Sequence, residues 1–497
     1  MTSLPSIRSI TSRFLPALTG LALATSCRVA EPTQQPAATA MPGRFPTTAA
    51  TTDSASVAML PWREFFGDKN LVGLIDTALQ ANPDLRTAIQ RIEIARANLQ
   101  VQRGALLPTV NGVASAGVEK FGDYTLNGIG NYDTNLSPNI EGRQRIPNPT
   151  PDFFLGLRSS WELDLWGKLR QRRQAAFLRL LATEKGRHLV ETSLVAEVAR
   201  LYFNLLGLDN ELGVLKKNQL LQERALEIVK IQKRAGRANE LAVQQFTAQL
   251  LRTRSLEAET QQRIVASENE LNRLLGRYPQ RIARGLPILQ QPLPAQVQAG
   301  LPATMLLRRP DVQQAELEMV AARADVAAAR AAFLPSLTLT PFVGVNAYRA
   351  SVLFNSPGSL AYGLLAGLSA PLINRNGLKA DYRRSAAEQQ IAYNDYQKAV
   401  QTGFEEVTTN LRGLGNYQRV FELQQQEVEA LNQAVSISDD LYKANYATYL
   451  EVVTAQRNVL DAELNLTNTR RQQFLLLIDL YRALGGGWTA STVPVTK

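Results

Sequence analysis

The chain has 497 residues, of which 45% are hydrophobic and 20% charged, with a formal net charge of +10, one cysteine and one histidine. Its length exceeds the roughly 250 to 300 residues that one compact core holds, which predicts several domains or an elongated architecture. One cysteine and one histidine cannot assemble a zinc site, a disulfide or a cysteine nucleophile with its base. Phosphate-loop, zinc-protease and serine-hydrolase motifs are also absent from the sequence. We therefore expect no enzyme, no metal and no cofactor, and the lack of a dense basic run argues against nucleic-acid binding.

The N-terminus has the layout of a secretory signal. Arg8 and Arg13 precede an apolar stretch at 14–24 that is too short for a permanent membrane-spanning helix. Small residues come directly before Cys27, and this spacing resembles the lipobox of bacterial lipoproteins, in which the cysteine is acylated. The polar segment that follows offers no core for Cys27. We expect a lipid on Cys27, and a buried cysteine in an uncleaved segment is the alternative.

The remaining chain contains an internal duplication. The segment from Pro83 to Pro108 aligns without gaps to the segment from Pro310 to Pro335, and both begin with Pro-Asp and share Ala-Arg-Ala and Leu-Pro. A second correspondence joins 235–243 to 444–452. Because the two correspondences occur in the same order, each half is predicted to repeat one unit of helix, strand pair and two long helices.

Two pairs of strands are predicted from alternating patterns. From Leu155 to Leu165 apolar residues alternate with small, polar or charged ones, among them Arg158, Glu162 and Asp164. A half-buried soluble strand has the same pattern, but the ionic face also suits a water-filled lumen. We expect strands at about 108–120, 153–165, 335–347 and 360–372, with polar loops at 121–152 and 348–359. Candidate inward residues on the partner strands are Asn111, Ser115, Glu119, Ser336, Thr338 and Thr340.

Four strands cannot close a membrane barrel, because the smallest such barrels have about eight strands. An open sheet edge in lipid leaves backbone groups without hydrogen bonds. If these strands span a membrane, the protein must therefore oligomerise.

Long helices with a coiled-coil seam follow each strand pair. After Gly167 the chain has no proline as far as Gly236, roughly 70 residues or about 100 Å of helix. Short breaks at 235–239 and 444–448 predict helical hairpin tips around Gly236 and Asn445, residue types that tolerate positive φ. The first seam repeats with heptad spacing and a less regular second seam includes Val407, Leu414, Tyr417 and Phe421. The first seam consists of Leu194, Val198, Leu201, Leu205, Leu208, Leu212 and Leu215.

Together these features resemble the TolC-type outer-membrane efflux channels, particularly the lipoprotein subunits of RND pumps. The most specific local matches lie at 306–312, 333–337, 449–457 and 480–488. The resemblance implies an α+β membrane protein, in which three chains of four strands close one 12-stranded outer-membrane β-barrel that continues into a periplasmic α-helical coiled-coil barrel. The implied location is the outer membrane of a Gram-negative bacterium.

The resemblance also implies partners and site residues. The tips, with Gly236, Arg237, Asn445 and Tyr446, would contact a periplasmic adaptor protein that joins the homotrimer to an inner-membrane RND transporter. Glu451 matches an acidic residue that closes the periplasmic entrance in the family, but the second acidic position is Thr454 here. Asp439 and Asp440, before the tip, are the alternatives, and ordinary solvated carboxylates remain possible for all three.

The predicted function is the exit duct of an efflux pump for drugs or other small toxic molecules. Two alternatives stay open: the exit duct of a type I protein secretion system, with an ABC exporter as partner, and a structural coiled-coil lipoprotein of the periplasm. The domains expected along the chain are a signal peptide at 1–26, an anchored linker at 27–60, a first repeat at 61–276, a crossover at 277–305, a second repeat at 306–488 and a tail at 489–497.

Overall fold

The computed structural model describes residues 41–45, 56–293, 299–373, 375–444 and 446–488. The predictions for the signal peptide, Cys27, Asn445, much of the linker and the C-terminal tail lie outside these ranges.

The helices and strands follow the same order in both halves, except that the first half has one more helix before its strands and another between them. The first half contains α1 (Trp62–Phe66), α2 (Lys69–Ala81), α3 (Pro83–Gly104), β1 (Thr109–Glu119), α4 (Leu126–Leu136), β2 (Thr150–Leu163), α5 (Lys168–Arg234) and α6 (Glu240–Leu274). The second half contains α7 (Pro302–Leu306), α8 (Pro310–Ala331), β3 (Ser336–Ala347), β4 (Leu360–Ser369), α9 (Asn376–Lys443) and α10 (Tyr449–Ala483). Short 3₁₀ turns occupy Val57–Met59, Ile288–Gln290 and Ala350–Val352. Among the helices of the described ranges, none is both long and apolar enough to span a bilayer.

The duplicated sequence produces equivalent helices. α3 and α8 each have 22 residues and start at a proline followed by an aspartate, Pro83-Asp84 and Pro310-Asp311. Proline fits the first turn because its missing N–H would be unpaired there, and the aspartate interacts favourably with the positive N-terminal end. The chain divides into two compact units.

The first unit, Ile94–Leu180 and Glu318–Tyr393 within the described ranges, contains one antiparallel sheet. Its strand order is β1-β2-β3-β4, so that β1 and β4 form the two edges. The segment predicted as a polar loop after β1 contains α4, which the sequence analysis missed. Thr125 caps this helix through its hydroxyl, which accepts from the Gly128 N–H at 3.1 Å.

The second unit contains the largest hydrophobic core. Its residues are fully or nearly fully buried and come mostly from α2, α5, α6 and α10, with Trp62 of α1, Leu85 of α3, and Ile282 and Ile288 after α6. Leu71 and Ile75 of α2 pack in one cluster with Leu205 of α5, Leu271 of α6 and Phe474 of α10. A second cluster joins Phe45, Met305, Val407 and Leu480.

The seam of the first long helix is largely buried, and its residues from Leu194 to Leu205 belong to this core. Six positions are at most 8% exposed and Leu212 is half-buried. The buried positions are Leu194, Val198, Leu201, Leu205, Leu208 and Leu215. Ala199, Tyr202 and Leu206 are buried as well, so burial in this stretch is wider than a two-helix seam.

Candidate functional site

The sheet has one apolar face. Its register pairs Gly112 with Leu157, Leu157 with Val343 and Val343 with Tyr362, which places these residues on one side. Within the four described strands this face carries no charged residue. Its side chains are extensively exposed, for example Tyr362 at 76% and Leu364 at 68%. An exposed apolar face of this extent is characteristic of strands that contact lipid.

The opposite face of the sheet is polar. The Nδ2 group of Asn346 donates to the Asp152 carboxylate at 2.8 Å, and Lys168 pairs with Glu162 at 2.5 Å. The candidate inward residues from the sequence all lie on this side, according to the register: Asn111, Ser115, Glu119, Ser336, Thr338 and Thr340. The arrangement matches a membrane barrel strand set, which is apolar toward lipid and polar toward the lumen.

The first helical tip is a tight turn built on a glycine. Gly236 has φ +74°, and the Arg237 N–H donates to the Gln232 carbonyl at 2.9 Å. This bond spans the last helical turn and satisfies a carbonyl that the ending helix leaves free. Asn239 then caps α6, its side chain accepting from the Ala242 N–H at 3.0 Å.

The second tip repeats this geometry 209 residues later. The Tyr446 N–H donates to the Leu441 carbonyl at 2.8 Å, as Arg237 does to Gln232 in the first tip. The Tyr446 side chain is 84% exposed. Asn445, the residue equivalent to Gly236, lies outside the described ranges.

One hydrophobic cluster joins the two tips within the second unit. Val229 of α5, Phe246 of α6 and Val452 of α10 are buried in it, and Tyr442 of α9 packs against them. The cluster therefore brings together the ends of α5 and α9 and the starts of α6 and α10, which form the two predicted tips. Arg237 is exposed beside it.

The three candidate gate carboxylates lie at the second tip. Glu451, in the first turn of α10, is exposed and its carboxylate accepts from the Thr448 N–H. This bond satisfies one of the free donors at the helix start. Asp439 and Asp440, in the last turn of α9, face Lys443 at 2.5 and 3.8 Å. Each carboxylate thus has a local partner in the single chain.

The only histidine has a packing role. His188 stacks on Trp488 with the ring centroids 4.7 Å apart and the planes 10° from parallel. The Trp488 indole N–H donates to the Arg308 carbonyl at 3.1 Å. Burial, and then the charges of Arg187 and Lys185, lower the pKa of His188 to about 4, so the ring is neutral at pH 7.

Arg309 and Asp311 of the motif at 306–312 belong to an ion network centred on a buried guanidinium. Arg309 is 4% exposed and pairs with Asp311 at 2.6 Å and with Glu406 at 2.7 Å. It also donates to the Ala483 carbonyl at 3.0 Å. Since a buried guanidinium needs such partners, these residues hold the start of α8 against α9 and α10.

Two tryptophans beside the sheet form backbone hydrogen bonds. Trp161 Nε1 donates to the Leu106 carbonyl at 3.0 Å, and Trp166 Nε1 donates to the Pro335 carbonyl at 2.7 Å. Trp166 is 53% exposed.

Two aromatic residues on the polar face of the sheet were not predicted from the sequence. Phe154 and Phe342 lie on the same face as Arg158, and their rings meet edge to face with centroids 6.2 Å apart. Phe154 precedes Arg158 by four residues, and strand alternation places such residues on the same face. This spacing was the signal from which the position of Phe154 beside Arg158 could have been predicted.

Comparison with known proteins shows a consistent set of similarities. Residues 74–277 and 301–486 match the family described as outer membrane efflux protein. The chain is 33% identical over 472 residues to the solvent efflux pump outer membrane protein SrpC of Pseudomonas putida, covering 94% of this chain and 96% of that protein. It is 31% identical to the pyoverdine export outer membrane protein OpmQ of Pseudomonas aeruginosa, covering 86% and 87%. The open-state structure of the MtrE outer membrane channel of Neisseria gonorrhoeae aligns with a TM-score of 0.78 at 26% identity, covering 92% of this chain and 98% of that one.

Proposed function

The chain belongs to the outer membrane efflux protein family, and from this premise we propose that it is the exit duct of a tripartite RND-type pump. As a member of that family it is an outer-membrane efflux channel of a Gram-negative bacterium, a transport protein and not an enzyme. The exported compounds are drugs or other small toxic molecules. The names of SrpC and OpmQ, a solvent efflux pump protein and a pyoverdine export protein, support small organic solutes as cargo.

The observation that carries the proposal is a two-faced sheet with two unpaired edges. Among the strands that the structure describes, β1 and β4 each have a neighbour on one side only. Backbone groups at such an edge cannot remain unpaired in lipid. Three copies of the chain, each with four strands, would pair these edges into one barrel of 12 strands. The apolar face would then contact lipid and the polar face would line the lumen.

The tips are the proposed contact with a periplasmic adaptor protein. Arg237 and Tyr446 project from the shared tip cluster, and both side chains are exposed in the single chain. Gly236 holds the first turn in the left-handed conformation, and Asn445 is the equivalent residue by sequence. Opening is proposed to occur when the adaptor and pump engage these tips.

Glu451, Asp439 and Asp440 are the proposed residues of the periplasmic entrance. Their common position beside the second tip supports this role. Three copies would bring three sets of carboxylates around one axis, where like charges and cation attraction regulate passage. Cys27 is the proposed site of the lipid that anchors the mature chain to the outer membrane.

The channel function is tested by single-channel recording in planar bilayers. The purified protein should conduct ions, and a strain that lacks its gene should become more susceptible to drugs, dyes or detergents. A protein that inserts without conductance, together with unchanged susceptibility, contradicts the proposal.

The entrance is tested with two variants of Glu451. Glu451→Gln removes the charge but keeps an oxygen that accepts from Thr448, whereas Glu451→Ala removes both. If the charge closes the entrance, both variants should raise the conductance roughly twofold or more and weaken cation selectivity. Asp461→Asn, an exposed charge in the same helix, is the matched control. A change in the alanine variant alone would assign Glu451 to helix capping instead.

A further inference from the structure

On the polar face of the sheet, the ring of Phe154 lies over two glycines, Gly156 and Gly344. This side chain is 4% exposed. A Cβ atom at Gly156, or at Gly344 on the next strand, would lie 3.0 Å from its Cζ atom. The two glycines therefore leave the space that lets the ring lie across β2 and β3.

Phe342 occupies a similar position over the neighbouring strand. A Cβ atom at Gly363 would lie 2.5 Å from the Phe342 Cε1 atom, so only glycine accommodates the ring there. The Phe342 side chain remains 38% exposed. One part of this ring thus covers β4 and another part is open to solvent.

Arg158 adds a positive charge to the two rings. Its guanidinium carbon lies 4.5 Å from the centroid of the Phe154 ring, and its Cα is the register partner of Phe342. Arg158 is exposed and forms no ion pair with any residue in the described ranges. Neighbouring carboxylates on this face have other partners: Glu162 pairs with Lys168, and Asp152 accepts from Asn346.

We propose that Arg158, Phe154 and Phe342 form a luminal contact site for aromatic anions and that Arg158 contributes to the ion selectivity of the barrel. A carboxylate or sulfonate pairs with the guanidinium in a bidentate geometry, while its ring packs on the exposed part of Phe342. Stacking on Phe154 orients the guanidinium without neutralising it.

The inference rests on the proposed function, because the polar face lines a lumen only when several copies close the barrel. The site lies on β2 and β3, the inner strands of the sheet. Pairing of β1 and β4 between copies would therefore leave it uncovered, and a trimer would carry three such sites.

The selectivity is measured from reversal potentials across a planar bilayer with 10 mM KCl on one side and 100 mM on the other. Arg158→Gln should raise the permeability ratio of cations to anions roughly twofold, since the Debye length is about 10 to 30 Å in these solutions. Arg158→Lys keeps the charge and should preserve the ratio. The difference in permeability ratio between wild type and Arg158→Gln should nearly vanish in 1 M KCl, where the Debye length is about 3 Å.

The binding site is measured separately by titration calorimetry of the detergent-solubilised protein with 1-naphthoate. Arg158→Gln should weaken binding about tenfold, and Arg158→Lys and Phe342→Leu should weaken it less, because each keeps part of the site. The uncharged 1-naphthalenemethanol should bind wild type, Arg158→Gln and Arg158→Lys alike, because it lacks the carboxylate that pairs with the guanidinium. Gel filtration of each variant checks that the assembly is intact.

Unchanged affinity for 1-naphthoate in Arg158→Gln overturns the binding site, and an unchanged permeability ratio overturns the selectivity role. A wild-type protein without conductance would contradict the channel function instead, and calorimetry would still decide on the site.

Discussion

The two long helices have equivalent sequence patterns but different surroundings within the second unit. Leu205 of α5 is fully buried, whereas Leu414, 209 residues later in α9, is half-buried. Leu208 is 2% exposed and its counterpart Tyr417 is 37% exposed. Further along α9, Ile437 is 58% exposed.

The difference in burial follows from the elements that pack around each helix. α5 is enclosed by α2, the end of α6 and α10, all of which contribute to its core cluster. In the equivalent stretch of α9, Val407 is buried in a smaller cluster, and Phe404, Leu411 and Leu414 pack against that cluster while only partly buried. Duplication therefore produced two similar helices, of which one completes its packing inside the chain. The other presents apolar side chains outward, which is consistent with burial of this helix between copies of the proposed trimer.

The largest expected effect is a difference in the free energy of unfolding between matched leucine substitutions in the two helices. Leu205→Ala should lower the free energy of unfolding by about 2–5 kcal/mol, because it leaves a cavity in a closely packed site. Leu414→Ala, the matched substitution in α9, should cost less than half as much. Guanidinium unfolding followed by circular dichroism measures both, and equal losses would contradict the comparison.

A smaller effect should appear in assembly. Ile437→Lys places a charge on an exposed apolar position of α9 and should raise the trimer dissociation constant about tenfold or more. Native mass spectrometry in detergent measures the trimer fraction. Glu429→Lys, an exposed polar position of the same helix, is the control. A trimer fraction that matches wild type in Ile437→Lys would exclude this surface from the interface.

The smallest expected effect concerns His188 of α5, because the equivalent position in α9 is a glutamine. His188 has a folded-state pKa of about 4, below its ordinary value of 6.5, so the unfolded chain binds more protons between these pH values. Stability should be unaffected above pH 6.5 and should fall by roughly 1–3 kcal/mol as the pH is lowered toward 4. At position 397, 209 residues later, glutamine cannot titrate.

His188→Phe isolates this contribution, since it keeps a ring against Trp488 and removes the proton site. Burial raises the pKa of the nearby Glu191, which acts in the opposite direction in wild type and variant alike. Melting temperatures from pH 7.5 to 4.5 should therefore fall less in the variant. Parallel curves for the two proteins would rule out the neutral, stacked histidine.

Much of the architecture was predictable because it depends on local patterns. Alternation at Leu155 to Leu165 predicted a strand with two unlike faces, and heptad spacing from Leu194 to Leu215 predicted a long packed helix. The glycine at 236 predicted a turn with positive φ. α4 was missed because its Asn- and Gly-rich sequence is typical of loops, and only the Thr125 cap indicates a helix start.

The sequence by itself determined the strands, the long helices, their duplication and the family, because each depends on residues close together in the chain or on motifs. Only the tertiary structure decided which seam is enclosed, that His188 meets Trp488, that Arg309 pairs with Glu406, and that Phe154 lies over Gly344. Periodicity specifies which side chains share a face. What covers that face depends on segments hundreds of residues away, whose approach is set by packing of the whole unit.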